Sequence, residues 1–186
     1  MDSITIETIG GQDIEKCREL CNELMTLQQS LATLHPECFN NMNFDTRMYK
    51  SHTTALRSHV AVAFDDGQAI GYVFSTIDKI GESQRNTFPA WAPQVGKGFY
   101  PDWLELPQNI GCLNNLYLRE QYQHLGLGKK LLDISLNWLE SFEDTNITFV
   151  FVSNGNNKAL NFYRKNNFLF SHEVFGGFIT ALYKNK

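Results

Sequence analysis

The sequence predicts a single α/β (α+β) domain that occupies residues 1–186. A chain of this length that is 42% hydrophobic can bury about 70% of its unfolded surface around one core. Segments that alternate apolar and polar residues, as half-buried strands do, are interleaved with segments whose apolar residues recur at helical spacing. Read in order, they are a strand, two helices, three strands, a helix, a strand, a helix and two strands.

The N-terminal part predicts one strand and two helices. Residues 4–9 alternate as a half-buried strand, and two glycines end it before Asp13 caps a helix. Apolar residues at helical spacing then run over residues 14–34, and Pro36 stops the helix. We expect this apolar stripe to face the core. A shorter helix is predicted over residues 45–57.

Three strands follow, and the last two are separated by a long loop. Residues 60–64 and 69–74 flank Asp65-Asp66-Gly67-Gln68, which is a hairpin signal, and a third strand is predicted at 110–118. Residues 81–109 hold most of the prolines and show no periodicity, so they predict a loop insertion. We interpret this loop as a cover over the substrate side of a ligand-binding cleft. A self-packed flap or a dimer contact is the alternative.

The C-terminal part predicts two helices and three strands. An amphipathic helix begins near Gly126, and an apolar strand covers residues 147–152. A second helix is predicted at 156–166, followed by two strands around the Gly176-Gly177 turn. No internal repeat is present.

The glycine-containing stretch 123–128 joins the strand at 110–118 directly to this amphipathic helix. Glycines let a turn approach a ligand closely, and the first N–H groups of the helix then point at the ligand with the positive end of the helix dipole behind them. Lys129 and Lys130 follow at once. The stretch therefore predicts a site for a phosphate or pyrophosphate.

Two familiar phosphate-binding loops do not fit this stretch. The nucleotide P-loop requires glycine where Gln123 stands, and Ser or Thr where Lys130 stands. The dinucleotide fingerprint requires a third glycine where Leu131 stands, and an acidic residue after the next strand, where residues 149–151 are apolar. A nucleotide-binding protein of either kind is therefore disfavoured.

The stretch resembles motif A of the GCN5-related N-acetyltransferase (GNAT) superfamily, which reads Gln or Arg, two residues, Gly, one residue, then Gly or Ala. Gln123, Gly126 and Gly128 fill it. Residues 156–168 resemble motif B of the same superfamily, Asn-x-x-Ala-x-x-Phe-Tyr-x-x-x-Gly-Phe, with Asn167 where Gly is usual. Asn tolerates the left-handed conformation that the end of a helix requires. Both motifs occur in the superfamily's order.

This resemblance implies a GNAT fold over essentially the whole chain: a mixed, mostly antiparallel sheet of six to seven strands, flanked by about four helices, with strands four and five splayed apart. It also implies that acetyl-CoA is the co-substrate and threads through the splay. The residues that it assigns to cofactor binding are the strand segment Leu116, Tyr117 and Leu118, the loop segment Gln123, His124, Leu125, Gly126, Leu127, Gly128 and Lys129, and Asn156, for which a purely structural capping role is the alternative.

The resemblance also implies the reaction, which is transfer of the acetyl group to a primary amine of a small molecule or peptide by direct attack in a ternary complex. Tyr163 is the catalytic residue that it assigns, as proton donor to the departing thiolate. Many relatives place a carboxylate near Asn114 and Asn115, and Asn cannot take a proton at neutral pH. A water held by these residues, or Asp102 or Glu105 in the loop, could serve as base instead, so no base is assigned.

The amino-acid composition limits the kinds of binding partner that we expect. The net charge of −4 gives no footprint for nucleic acid and favours a cationic or neutral acceptor. The four cysteines have no metal-binding spacing, and we expect Cys17 and Cys21 to pack in the core, with no metal. No signal peptide or membrane span is predicted, which favours the cytoplasm. The resemblance is consistent with a homodimer. The alternative function is that of a non-catalytic regulatory module that binds CoA.

Overall fold

A computed structural model describes residues 4–186 of the protein as one seven-stranded mixed sheet with the strand order β1-β2-β3-β4-β5-β7-β6. Strands β4 and β5 are parallel, and every other neighbouring pair is antiparallel. This sheet confirms the fold class that the sequence predicts. The strands are β1 (Ile4–Ile9), β2 (Arg57–Asp65), β3 (Gln68–Ile80), β4 (Gln108–Leu118), β5 (Thr145–Ser153), β6 (Leu169–Val174) and β7 (Ile179–Asn185).

Within residues 4–186, five α-helices accompany the sheet; four of them follow the predicted order, and one short helix is additional. They are α1 (Arg18–Leu31), α2 (Lys50–Thr54), α3 (Glu82–Arg85), α4 (Leu127–Glu140) and α5 (Asn157–Lys165). A 3-10 segment, Gly11–Cys17, leads into α1, and a π-helical segment, Phe44–Tyr49, leads into α2. Helix α3 is the unexpected one, since it lies at the start of the stretch predicted as an unstructured loop.

The sheet lies between two helical layers. Leu20, Cys21 and Leu24 of α1 pack with Val60 and Val62 of β2 in one buried cluster. The intervening residue of that strand, Ala61, belongs to a second cluster that contains Leu131 and Leu132 of α4. Alternate residues of one strand thus face opposite layers, as the pleat requires. Each fully buried aliphatic side chain contributes about 1.5–3 kcal/mol to these two cores.

Helix α1 differs from its prediction at both ends. Asp13 does not cap it: Gly10 precedes the 3-10 segment and makes no side-chain capping bond. The helix ends at Leu31 rather than near Pro36, because the side chain of Asn154 accepts the N–H groups of Thr33 and Leu34, each at 2.7 Å. The C-terminal part of the stripe that was expected to face the core is 37–43% exposed at Leu27, Leu31 and Leu34, so the expectation is wrong for that part.

Gly155 permits this close approach between α1 and the β5–α5 turn. Its φ is +80°, and a Cβ atom built there would lie 1.8 Å from the carbonyl oxygen of Leu31. A residue with a side chain fits neither the left-handed backbone nor the available space.

The sheet opens between β4 and β5, as the resemblance implied. Their paired residues run from Asn109 with Thr145 to Leu113 with Val150, whereas β4 continues to pair with β3 as far as Leu118. A bulge in the β3–β4 ladder falls at Asn114, immediately after the last β5 pair. The C-terminal half of β4 therefore has β3 on one side and an open cleft on the other.

Aromatic side chains anchor the loop that follows α3. Phe99 packs edge-on against Phe175 with ring centroids 4.9 Å apart, and Tyr100 packs against Phe149 at 5.7 Å. Lys97 forms an isolated parallel bridge with Val174 at the end of β6. The loop is thus fixed to the β5–β7 side of the sheet.

Candidate functional site

The loop between β4 and α4 has the geometry of an anion-binding turn. Gly126 precedes α4 with φ +76°, and no side chain caps the helix. The first intrahelical bond there is from Lys130 N–H to the Gly126 carbonyl at 3.1 Å, so the N–H groups of Leu127, Gly128 and Lys129 are free for a ligand. The helix begins inside the glycine stretch, as the sequence predicts.

The side chain of Gln123 braces this loop. Its Nε2 donates to the carbonyl of Leu118 at 2.8 Å, and its Oε1 accepts from the ammonium group of Lys158 on α5. The first residue of motif A therefore ties the end of β4 to α5. Sequence reasoning did not single out Lys158, whose charge lies beside the loop; the ammonium of the predicted Lys129 instead contacts Asp133.

Other residues of the predicted cofactor site lie on either side of this brace. His124 adopts φ +67° within the loop, and Leu125 is 41% exposed. Leu116 and Tyr117 are partly buried on the stretch of β4 that has no β5 partner. Burial, with Glu23 nearby, raises the pKa of Tyr117 to about 12, so its hydroxyl is protonated at neutral pH.

Both ends of α5 have the predicted local structure. The Oδ1 of Asn156 accepts the N–H of Ala159 at 3.1 Å, so Asn156 caps the helix. Asn167 has φ +65°, and the N–H of Phe168 bonds to the Tyr163 carbonyl at 3.1 Å, which is a Schellman ending. The side chain of Asn154, two residues before Asn156, is engaged instead with the segment after α1.

Tyr163 lies on the inner face of α5, between Phe162 and Phe168, with ring centroids 5.4 and 5.5 Å away. Burial raises the pKa of its phenol well above the ordinary value. Within residues 4–186 its hydroxyl has no hydrogen-bond partner, yet it is not among the fully enclosed unpartnered atoms, so it reaches accessible space. The side chain is therefore a protonated, available donor.

A cavity of about 230 Å³ lies against β3, β4 and the open end of β5. The loop after α3 contributes Trp91, Phe99 and Tyr100 to its wall, and β4 contributes Asn114 and Asn115. Its one carboxylate, among the described lining residues, is Asp78 of β3, and its one guanidinium is Arg47. Ser153 also lines it, with a buried hydroxyl that has no partner within residues 4–186.

The structure brings only some of the candidate proton acceptors to this cavity. Asn114 lies in its wall, and its Nδ2 donates to the Thr76 hydroxyl at 2.9 Å. Asp102 is ion-paired with Lys97 at the surface, and Glu105 is exposed; neither lines the cavity. The sequence did not predict a role for Asp78, because this residue lies within an ordinary strand pattern and belongs to no motif.

A larger, more open groove of about 870 Å³ lies between the start of α1 and the β2–β3 turn. Its charged residues Arg119 and Glu19 pair with each other at 3.1 Å. It contains none of the predicted site residues. Over residues 4–186, no helix is long and apolar enough to cross a membrane, and no three metal-ligating side chains of His, Cys, Asp or Glu are grouped.

The fold and site define a class: an α/β protein whose sheet opens between two parallel strands, beside an uncapped helix terminus suited to phosphate. Residues 24–168 match the acetyltransferase (GNAT) family. The chain belongs to that family. A comparison with curated protein sequences gives no match.

Solved structures share the fold over nearly the whole chain. One is Arabidopsis thaliana Naa50 in complex with the bisubstrate analogue CoA-Ac-MVNAL, 14% identical over 98% of each chain, with a TM-score of 0.61. Another is the PaiA N-acetyltransferase of Thermoplasma acidophilum in complex with coenzyme A, 18% identical over 99% of each chain, with a TM-score of 0.59. A third is a GNAT-family acetyltransferase of Streptococcus pneumoniae, 16% identical over 98% of this chain and 99% of that one, with a TM-score of 0.62.

Proposed function

We propose that the protein is an N-acetyltransferase that transfers the acetyl group of acetyl-CoA to a primary amine of a small molecule or peptide, by direct attack in a ternary complex. The observation that carries the proposal is the opening between β4 and β5, with the uncapped start of α4 beside it. Coenzyme A in the Thermoplasma relative and the bisubstrate analogue in the plant relative support it.

The chain offers two kinds of contact to acetyl-CoA. The N–H groups of residues 127–129 suit the pyrophosphate, with the ammonium of Lys158 nearby. The open side of β4 suits the amides of the pantetheine arm, which can bind there as an added strand does. Asn156 retains its amide nitrogen for the same arm while its oxygen caps α5.

Tyr163 is proposed as the proton donor to the departing thiolate. A phenol near pKa 10 gives its proton to a thiolate, whose conjugate thiol has a pKa of about 8.5, only when a hydrogen bond forms early to the developing anion. The phenol of Tyr163 is protonated at neutral pH, and its hydroxyl, which has no partner in residues 4–186, is available as a donor. Burial raises its pKa, which makes the early hydrogen bond more necessary. General acid catalysis of this kind contributes roughly 10² to 10⁴ in rate.

Asp78 is proposed as the group that receives the proton of the amine, directly or through a water held at Asn114. An alkylamine of pKa about 10.4 is neutral in roughly one molecule of a few thousand at pH 7, so a base near the site has a real effect. Asp78 meets the geometric condition that Asp102 and Glu105 do not meet, because its side chain lines the cavity.

The alternative is a non-catalytic module that binds coenzyme A without turnover. The two asparagines at the usual carboxylate positions favour it, whereas the available Tyr163 hydroxyl and Asp78 in the cavity favour catalysis.

Calorimetric titration with acetyl-CoA, beside ATP and NAD, tests the proposal first. We expect micromolar binding of acetyl-CoA alone. Release of free thiol is then measured with a panel of amines. Binding without thiol release from any amine supports the regulatory module, and failure of a folded protein to bind acetyl-CoA contradicts both.

A further inference from the structure

We propose that the acceptor is a free amino acid with an apolar side chain, held in the 230 Å³ cavity by Arg47 at its carboxylate and by Asp78 at its ammonium. The inference rests on the proposed acetyl transfer and narrows its substrate class.

Arg47 is the first observation. Of the six arginines in the sequence, four form ion pairs with carboxylates, and Arg164 is exposed to water. The guanidinium of Arg47 lies over the ring of Trp91, 4.9 Å from its centroid, and makes no ion pair or hydrogen bond within residues 4–186. Its guanidinium is nonetheless part of the cavity wall, and burial lowers its pKa.

An enclosed guanidinium without a carboxylate is unfavourable, because it has lost water and gained no counterion. Its planar fork of N–H donors matches the two oxygens of a carboxylate. A ligand that brings a carboxylate into the cavity therefore completes the coordination that the protein leaves open.

Asp78 is the second observation. The only hydrogen bond of its carboxylate within the described chain is a long one, 3.4 Å from the N–H of Leu56. Asp78 and Arg47 line one cavity, yet their charged groups are not within the 4.0 Å of an ion pair in residues 4–186. Two opposite charges that share a small cavity without meeting are complementary to a ligand that carries both charges.

The rest of the wall indicates the shape of that ligand. Aromatic rings, including Trp91, Phe99 and Phe178, form much of the lining, which suits an apolar side chain. Ser153 belongs to the same wall, but its hydroxyl is fully enclosed and has no hydrogen-bond partner in residues 4–186, so the ligand contacts proposed here do not include it. The volume lies below the roughly 300–1,000 Å³ of pockets for drug-sized ligands, and the N-terminus of a peptide has no carboxylate next to its amine to pair with Arg47.

The location suits the reaction. The cavity wall includes Leu113 and Asn114, the positions at which β4 parts from β5. An amine held beside them lies next to the cleft proposed for the thioester. The amine and the acetyl group can thus meet without movement of the sheet.

The test is calorimetric titration of the twenty proteinogenic amino acids into the protein saturated with coenzyme A, together with the amide and the decarboxylated amine of each that binds. We expect one or more apolar amino acids to bind about 10- to 100-fold more tightly than their amides and amines, because an unmade hydrogen bond to a charged group costs about that factor.

Variants of the two charged residues test whether they bind the amino acid. Arg47→Gln is expected to weaken binding of the amino acid by the same factor and to leave the affinity for the decarboxylated amine unchanged. Asp78→Asn is expected to weaken binding of both the amino acid and the amine. Arg57→Gln is the matched control, since it removes an arginine that pairs with Asp144 outside the cavity. Thermal unfolding of each variant establishes that it is folded.

The outcomes separate this inference from the proposed reaction. Equal binding of amino acids and their amines, unchanged amino-acid binding by Arg47→Gln, or binding of none of the twenty would each overturn it. If an amino acid binds through Arg47 while no thiol is released from acetyl-CoA, the binding site is established and acetyl transfer is what fails.

Discussion

Replacing Gly128 with glutamate should weaken acetyl-CoA binding about a hundredfold while leaving the fold intact. Gly128 is the second residue of α4, and a Cβ atom built there would meet only the ring of Phe162, at 3.9 Å. A glycine within a helix costs about 0.5–1 kcal/mol relative to alanine, and a carboxylate in the first turn is favourable by about 0.3–1 kcal/mol. The unliganded variant should therefore unfold at the same temperature as the wild type or a higher one.

The binding penalty follows from Coulomb's law. A carboxylate about 6 Å from each of two phosphate charges, at an effective dielectric constant of about 40, repels each by about 1.4 kcal/mol. The sum, about 2.8 kcal/mol, corresponds to about a hundredfold in Kd. Salt screens such a repulsion, so the ratio should shrink between about 0.01 M and 1 M ionic strength.

Calorimetry with Gly128→Glu and the uncharged Gly128→Gln separates charge from size. We expect the glutamine variant to retain most of the affinity at every salt concentration. Wild-type affinity in Gly128→Glu would refute the placement of the pyrophosphate at the start of α4, and equal losses in both variants would refute the electrostatic reasoning.

Three further outcomes are expected. Tyr163→Phe should lower kcat by roughly 10² to 10⁴ at unchanged acetyl-CoA affinity, measured by thiol release and calorimetry; an unchanged kcat would place proton donation elsewhere. Gly155→Ala should lower the free energy of unfolding, measured in urea, by more than about 3 kcal/mol, because it adds both backbone strain and a clash with Leu31. Gly67→Ala is the control: Gly67 has φ +77° but open space around it, so its replacement should cost only about 1–2 kcal/mol. Equal effects of the two variants would contradict the close contact between Gly155 and Leu31. Burial raises the pKa of the Cys112 thiol to about 12, so at pH 8 Cys112 should react with iodoacetamide about a thousandfold more slowly than a free cysteine. Its labelling, followed by mass spectrometry, should become faster as the pH rises. Rapid labelling at pH 8 would contradict the burial.

Features that depend on the local backbone could be predicted from the sequence. The start of α4 at the glycine stretch and the left-handed Asn167 after α5 were both predicted correctly. Their determinants lie within a few residues of the feature itself: a glycine that permits positive φ, or an asparagine that tolerates it.

Features that depend on distant residues could not be predicted. The end of α1 is set by Asn154, more than a hundred positions along the chain, so the apolar periodicity alone placed it too late. Asp78 and Arg47 reach the cavity from two separate elements, and nothing in their own sequence neighbourhoods marks them. Lys158 lies within motif B, but at a position for which the motif specifies no residue, so its contact with Gln123 was not predicted. The motifs predict where a ligand binds, but the side chains proposed to select it become visible only in three dimensions.

The opening between β4 and β5 has a consequence for how the sheet avoids aggregation. Unpaired strand edges usually lie at the rim of a sheet, where a second chain can add to them and begin aggregation. Here the edge of residues 114–117, which has no β5 partner in the described chain, lies in the interior of the sheet, with β5 diverging opposite it. Another folded protein is too thick to enter the gap between two strands of one sheet. A single extended chain that carries amide groups is thin enough to enter it. The same geometry that leaves room for an extended ligand thus shields the exposed backbone from other proteins.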